Sequence, residues 1–235
     1  MKITLPAARL LFALVGLLAA APAARLRAEP PPAPAVFAPA NQLSPGKPLP
    51  FTLRQVFHRL EHDRTETFPF TETRTFAISK KPLKQNGTLR TGKDLGLSLS
   101  YESERPHVII VDDKGLIDRQ PGGSERQVNV ADHPELAALT DLYLNLLRGN
   151  AAKLFDYADV YFAGTAQAWE MGLVPHDAAV AKRAGKVVVS GGGHYVNKME
   201  NVLPDGGVRV LELGKVDRNP KYTPDEVQKY FRGQS

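Results

Sequence analysis

The sequence predicts a mainly β protein of the α+β class: a curved antiparallel sheet forming an incomplete barrel, covered by a few helices. Three observations lead there. Short alternating segments follow one another with turn residues between them, as in "QNG", "DDKG" and "QPGGS", the chemistry of antiparallel hairpins. Strand and helix do not alternate as they would in a parallel sheet. One long amphipathic pattern, "DHPELAALTDLYLNLLRGN", interrupts the ladder halfway, and a meander with one apolar face needs such an element to hide it.

At the start of the chain, Lys2 and Arg9 precede "LLFALVGLLAA" and a run of small residues, the order of a secretory signal peptide. The apolar run is too short to cross about 30 Å of hydrocarbon. Cleavage is expected after Ala23, Ala24 or Ala28, with residues 1–28 the preferred signal. Residues 29–50, "EPPPAPAVFAPANQLSPGKPLP", then form a proline-rich leader, disordered or polyproline in character. Residues 51–235 make a single domain.

Within that domain, "FTLRQVFHRLEHDRTET" sets Leu53, Val56, Phe57 and Leu60 at helical spacing, with Thr52 as N-cap. Strands are expected over 70–79, about 84–91, 94–102, "HVIIVD" and 124–130. Asp132 then caps the long helix, Pro134 lies close behind, and Leu136, Leu139, Tyr143 and Leu146 or Leu147 form one stripe up to Gly149. Strands resume with "DVYFAG", "AQAWEMGLVP", "KVVVSGG", "YVNKMENVLP" and "GGVRVLELGKV", the last two joined at Asp205, Gly206 and Gly207. A final helix starts at Thr223, with Pro224 in its first position and Glu226 completing a capping box.

The formal charge of +5 includes Lys2, Arg9, Arg25 and Arg27; without those four the mature chain carries +1. No nucleic-acid footprint survives. Cysteine is absent, so an exported chain of this size is held by its core and not by disulfides. It also lacks a cysteine for a lipid anchor, and no spanning run follows residue 28, which predicts a soluble monomer. With 43% hydrophobic residues, the chain has enough apolar side chains for that core.

The strand beginning at Phe70 poses a problem of faces. One parity reads Phe70, Glu72, Arg74, Phe76, Ile78, so two charges share a side with three large apolar groups. Either that face lines a space that is only partly dry, or the strand is an edge carrying a solvated ion pair of little energetic weight. Two other strands have cleaner faces. Leu95, Leu97, Leu99 and Tyr101 alternate with Gly96, Ser98 and Ser100, and Trp169, Met171 and Leu173 share one parity, as core or as the wall of a cavity.

Two short motifs suggest other chemistry. In "HRLEH", His58, Glu61 and His62 match HxxEH, in which two histidines bind zinc and the glutamate activates water; no third ligand is evident downstream, and the same helix must pack four apolar residues. The run "SGGGHYV" contains Ser190 and His194, yet neither a phosphate loop nor GxSxG is formed, and the glycines read as a hairpin turn.

Taken in order, the signal peptide, the short helix, an FxExR strand (Phe70, Glu72, Arg74), "KKPLKQNGTL" with Pro82, Leu83, Gly87 and Leu89, Pro106 before "HVIIVDDKGL", and the helix before "WEMGLVP" resemble the LolA-like family of periplasmic lipoprotein carriers, across roughly residues 51–216. The resemblance implies a LolA/LolB-like incomplete barrel in the periplasm, and a carrier that binds acyl chains of lipoproteins or related lipids in a hydrophobic cavity and passes them toward the outer membrane. It implies no catalytic residue, no metal and no cofactor. Partners would be an inner-membrane donor and an outer-membrane acceptor, and no nucleic acid. The cavity wall would then comprise Phe70, Phe76, Ile78, Leu95, Leu97, Leu99, Tyr101, Leu139, Tyr143, Leu146, Trp169 and Met171, with Glu72 and Arg74 at the rim. The best known carriers have a Lys-Arg-Pro stretch whose Arg helps to hold the lid; here "LRTGKDL" offers Arg90 and Lys93 without the Pro. The competing readings are a periplasmic small-ligand or polymer-binding module and a zinc metallopeptidase.

Overall fold

The computed structural model describes residues 34–62, 65–77, 79, 81–102, 106–112 and 114–233. The signal segment, the first residues of the leader and Ile78 lie outside the described residues. Among those described there are twelve strands: β1 (Thr65–Thr75), β2 (Leu83–Gly92), β3 (Gly96–Tyr101), β4 (His107–Asp112), β5 (Gly115–Arg119), β6 (Glu125–Asn129), β7 (Ala158–Gly164), β8 (Trp169–Pro175), β9 (Lys186–Gly192), β10 (Tyr195–Val202), β11 (Val208–Leu213) and β12 (Asp217–Arg218). Five helices accompany them: α1 (Phe51–His62), α2 (Pro134–Leu147), α3 (Ala151–Tyr157), α4 (Ala178–Ala184) and α5 (Pro224–Phe231).

The strands make one antiparallel sheet in the order β6-β5-β4-β3-β2-β1-β11-β10-β9-β8-β7, with β12 paired to β1. Two meanders, β1 to β6 and β7 to β11, are joined where β1 pairs with β11, Phe70 opposite Leu213 and Arg74 opposite Arg209. The end strands β6 and β7 do not pair with each other, so the curved sheet stays an open barrel.

Alternation decides which side chains face inward. Phe68 and Phe70 on β1, Leu97, Leu99 and Tyr101 on β3, Trp169, Met171 and Leu173 on β8, and Val187 and Val189 on β9 form one buried cluster with Leu53, Val56, Phe57 and Leu60 of α1 and Leu136, Leu139, Leu142, Tyr143 and Leu146 of α2. The two longest helices therefore fill the concave side. Each fully buried side chain of this size contributes roughly 1.5–3 kcal/mol.

The convex side has its own cover. The terminal helix α5 begins with the expected capping box, Thr223 and Glu226 satisfying each other's backbone N–H groups. It packs on β3 and β4 and buries Phe231 completely. Arg90 lies 3.9 Å from the centre of the Tyr230 ring, and Arg119 donates to the carbonyls of Lys229 and Arg232. At the other end of the sheet, the described part of the leader is packed rather than a loose linker. Val36 is wholly buried, Phe37 meets Tyr161 edge-on at 5.5 Å, and Leu43 N–H donates to the Val160 carbonyl at 2.8 Å. Gly172 on β8 lacks the Cβ that would collide with the Phe37 ring, which is what lets this apolar pair settle on the sheet.

Several boundaries differ from expectation. β1 starts at Thr65, five residues early, because "TETFPF" continues its ladder with β2 from the Thr65–Gly92 pair onward. It ends at Thr75, so Phe76 falls beyond the strand and is partly exposed. Thr52 lies inside α1 and is not its cap. Asp132 closes a 3-10 turn capped by the Asn129 side chain, and α2 begins only after His133. The sequence pattern gives no sign of β5, α3 or α4: these are five to seven residues long, too short for a periodic signal, and owe their order to packing.

Candidate functional site

The concave face and the helices across it form the candidate binding region. Nine of the proposed wall residues, Phe70, Leu97, Leu99, Tyr101, Leu139, Tyr143, Leu146, Trp169 and Met171, meet in the one buried cluster. Two do not. Phe76 lies past the end of β1, and Leu95 sits in the turn between β2 and β3, partly exposed. Trp169, the chain's single tryptophan, is fixed by its indole N–H donating to the Gly193 carbonyl at 3.0 Å. The glycine run beside it is the β9–β10 hairpin. A Cβ on Gly191 would meet the Trp169 ring and the Tyr195 backbone, so the glycines bring loop backbone against the indole.

The inward charges of β1 sit deeper than a rim. β1 is a central strand, flanked by β2 and β11, and the Glu72 side chain is 0% exposed. This also removes the alternative of a solvated edge pair. Arg209 of β11, which the sequence reading did not single out, completes the arrangement: its register sets it opposite Arg74. Two like charges facing each other across a ladder are destabilising, and Glu72 resolves the conflict. Its Oε1 accepts from Arg209 Nε, and its Oε2 lies 2.8 Å from Arg74 Nη2, an ion pair without hydrogen-bond geometry. Arg209 Nη2 also donates to the Tyr101 hydroxyl at 3.2 Å. Arg209 had a readable signal, since Arg209, Leu211 and Leu213 repeat the same mixture of charge and apolar groups on one parity.

A polar link joins sheet to cover. Asn201 on β10 donates to the Tyr143 hydroxyl of α2 and to the Ala184 carbonyl that ends α4. Burial pushes the Glu72 carboxyl up, but Arg209 and Arg74 outweigh it and hold it below its ordinary value. Burial disfavours the charge on Arg209, yet Glu72 leads the groups that raise its pKa. The Tyr101 and Tyr143 hydroxyls are pushed up by burial. Not every polar atom here is satisfied: Glu72 Oε2, Arg74 Nε and, on α2, Thr140 Oγ1 are buried without a hydrogen bond.

The HxxEH motif takes a different position. His58 and Glu61 lie on the exposed side of α1, away from Val56, Phe57 and Leu60. Among the described residues, no group of three or more His, Asp or Glu is placed to hold a metal.

A family model described as outer membrane lipoprotein carrier protein LolA-like matches residues 46–223. The chain belongs to the LolA-like family. Among solved structures, it is similar to a LolA superfamily protein from Nitrosomonas europaea, at 13% identity over 76% of this chain and 97% of that one, TM-score 0.40. A domain titled as an outer membrane lipoprotein-sorting protein, from Vibrio parahaemolyticus, shares 8% identity over 75% of this chain and 95% of that one, TM-score 0.40. LprF from Mycobacterium bovis shares 10% identity over 76% and 97%, TM-score 0.34. A comparison with curated protein sequences gave no match. The family assignment rests on the family model, and the open antiparallel sheet with its helical cover agrees with the fold it implies.

In this LolA-like chain the residues of "LRTGKDL" divide between the two sides of the sheet. Arg90 stacks on Tyr230 on the convex side, and Lys93 donates to the Glu61 carbonyl at the end of α1 at 3.2 Å. Asn201 and Tyr143 link the sheet to α2. No described helix is long and apolar enough to cross a membrane.

Proposed function

We propose that this protein is a periplasmic, non-enzymatic carrier that takes acyl chains of lipoproteins or related lipids between its concave sheet and α2, and passes them toward the outer membrane. The observation that carries the reading is the seam between sheet and cover. It is built from charges and hydroxyls, with Arg74 Nε and Thr140 Oγ1 buried without a hydrogen bond and Glu72 Oε2 held by the Arg74 ion pair alone. A permanent core has no use for such atoms, since each is costly when unmade. A cover that lifts can hydrate them in its open state, while the apolar wall of Leu97, Leu99, Trp169 and Met171 receives the chain. At about 0.8 kcal/mol per buried methylene, partial burial of one acyl chain suffices for useful affinity.

The test is titration of the mature protein with a fluorescent fatty acid, together with mass spectrometry of lipids that co-purify from the periplasm. Saturable binding competed by acylated peptide, and co-purifying acyl species, are the expected results. Absence of both, with a soluble sugar or peptide co-purifying instead, would establish the small-ligand module in its place.

A further inference from the structure

A basic depression opens beside the seam. It has a volume of about 450 Å³ and is lined by Lys93, Asp94, Leu95, Gly96, Asp112, Lys114, Arg148 and Arg232. Four cations face two carboxylates. Asp112 is already committed, its Oδ1 accepting from the backbone N–H groups of Lys114 and Gly115 at 2.9 and 3.1 Å. Arg232 is held by the carbonyls of Leu95 and Phe231, and Lys93 by that of Glu61. The side chains of Lys114 and Arg148 have no hydrogen-bond or ion-pair partner among the described residues. Arg148 is moreover only partly exposed, standing at the C-terminal end of α2.

Position gives this charge its meaning. Lys93, Gly96 and Arg148 also line a narrow cleft with Leu60 of α1, Leu144 and Leu147 of α2, and Glu66, whose carboxylate is paired with Arg59. The depression thus lies where both covering helices end against the β2–β3 turn, at the margin of the apolar interior. A ligand whose chain enters under α2 at this end would leave its polar head over Lys114 and Arg148. Guanidinium and ammonium groups that are not otherwise engaged are suited to phosphate oxygens, the guanidinium in bidentate fashion.

We propose that this depression is a phosphate site for the headgroup of an anionic diacyl lipid, so that the cargo class includes phospholipids. The inference rests on the acyl-binding reading above and adds to it a requirement on the head. The test compares binding of dioleoylphosphatidylglycerol and dioleoylglycerol to the full mature chain, with inorganic phosphate as competitor. The same measurements are made on the Lys114→Gln/Arg148→Gln variant after its melting temperature is shown to match the wild type.

The expected result is a preference for the anionic lipid of roughly tenfold, about 1.4 kcal/mol. It should shrink with added salt and fall to near parity in the variant. Equal affinity of the wild type for both lipids, or a preference that survives in the variant, overturns the headgroup site and leaves the acyl reading standing. Full displacement of the anionic lipid by inorganic phosphate at comparable affinity shows a free-phosphate site and overturns the headgroup assignment. Failure of both lipids to bind overturns the acyl reading and this inference with it.

Discussion

Asn201 on β10 donates its side-chain amide to the Tyr143 hydroxyl on α2 at 2.9 Å and to the Ala184 carbonyl at 2.8 Å. One buried side chain thereby fastens the covering helix and the end of α4 to the sheet. Replacing Asn201 with Ala leaves both acceptors unpaired, a loss of about 1–3 kcal/mol. Tyr143→Phe removes only the link to α2 and should cost about 0.5–1.5 kcal/mol. Hydrogen exchange separates the two effects: Tyr143→Phe should quicken exchange in α2 while β8 and β9 stay protected, and equal quickening throughout would show that the bond does not fasten the cover specifically.

Glu72 stands between two arginines brought face to face by the β1–β11 register. Glu72→Gln removes the only buried anion of this group and leaves both guanidinium groups uncompensated, which should destabilise by about 3–5 kcal/mol. Replacing all three together, Glu72→Leu, Arg74→Met and Arg209→Met, should be neutral or stabilising by about 1–4 kcal/mol. If the charges serve opening, the triple variant keeps its fold and takes up a fluorescent fatty acid more slowly. Urea denaturation and stopped-flow uptake read the two expectations separately; unchanged uptake would mark the cluster as purely structural.

The same groups set a pH profile. Glu72 titrates lower in the folded protein than its ordinary value, so its contribution is complete above the unfolded carboxylate pKa of about 4.3 and is lost as pH falls from there toward the folded value. Tyr101 and Tyr143 are raised, so their contribution is complete below an unfolded pKa of about 10 and is lost as pH rises beyond it. Melting temperature should fall on both limbs. Glu72→Gln should flatten the acid limb and Tyr143→Phe part of the alkaline one.

How much of this was legible depends on whether a feature is local. The alternation of Leu97, Leu99 and Tyr101 and the Thr223–Glu226 box were readable because strand period and capping chemistry are written within a few residues. The anomaly of Glu72 among apolar neighbours was readable too, but its partner was not. Only the pairing of the two meanders brings Arg209 opposite Arg74, and register between strands this far apart is a tertiary fact. Ser98 shows the same limit on the other face: its parity points outward, which on a one-layer sheet means solvent. The docking of α5 makes it wholly buried, with its hydroxyl unpaired. The descent of Val36 and Phe37 onto β7 and β8 was likewise hidden by the prolines around them.

Trp169 offers the most direct check on where an acyl chain goes. It is the chain's single tryptophan, is 1% exposed, and shares the inward face of β8 with Met171 and Leu173. Its emission should therefore be blue-shifted in the empty protein. A fatty acid brominated midway along its chain quenches tryptophan only near contact. If the chain enters between the sheet and α2, bromine should come close to the indole and quench strongly, whereas the unbrominated acid at the same occupancy should not. A polar substitution on the same inward face, Met171→Gln, should weaken both binding and quenching. If the chain instead lay on the convex side or along an open edge, the sheet and the covering helix would screen the indole. Saturated binding with undiminished Trp169 emission would then exclude the concave face as the site.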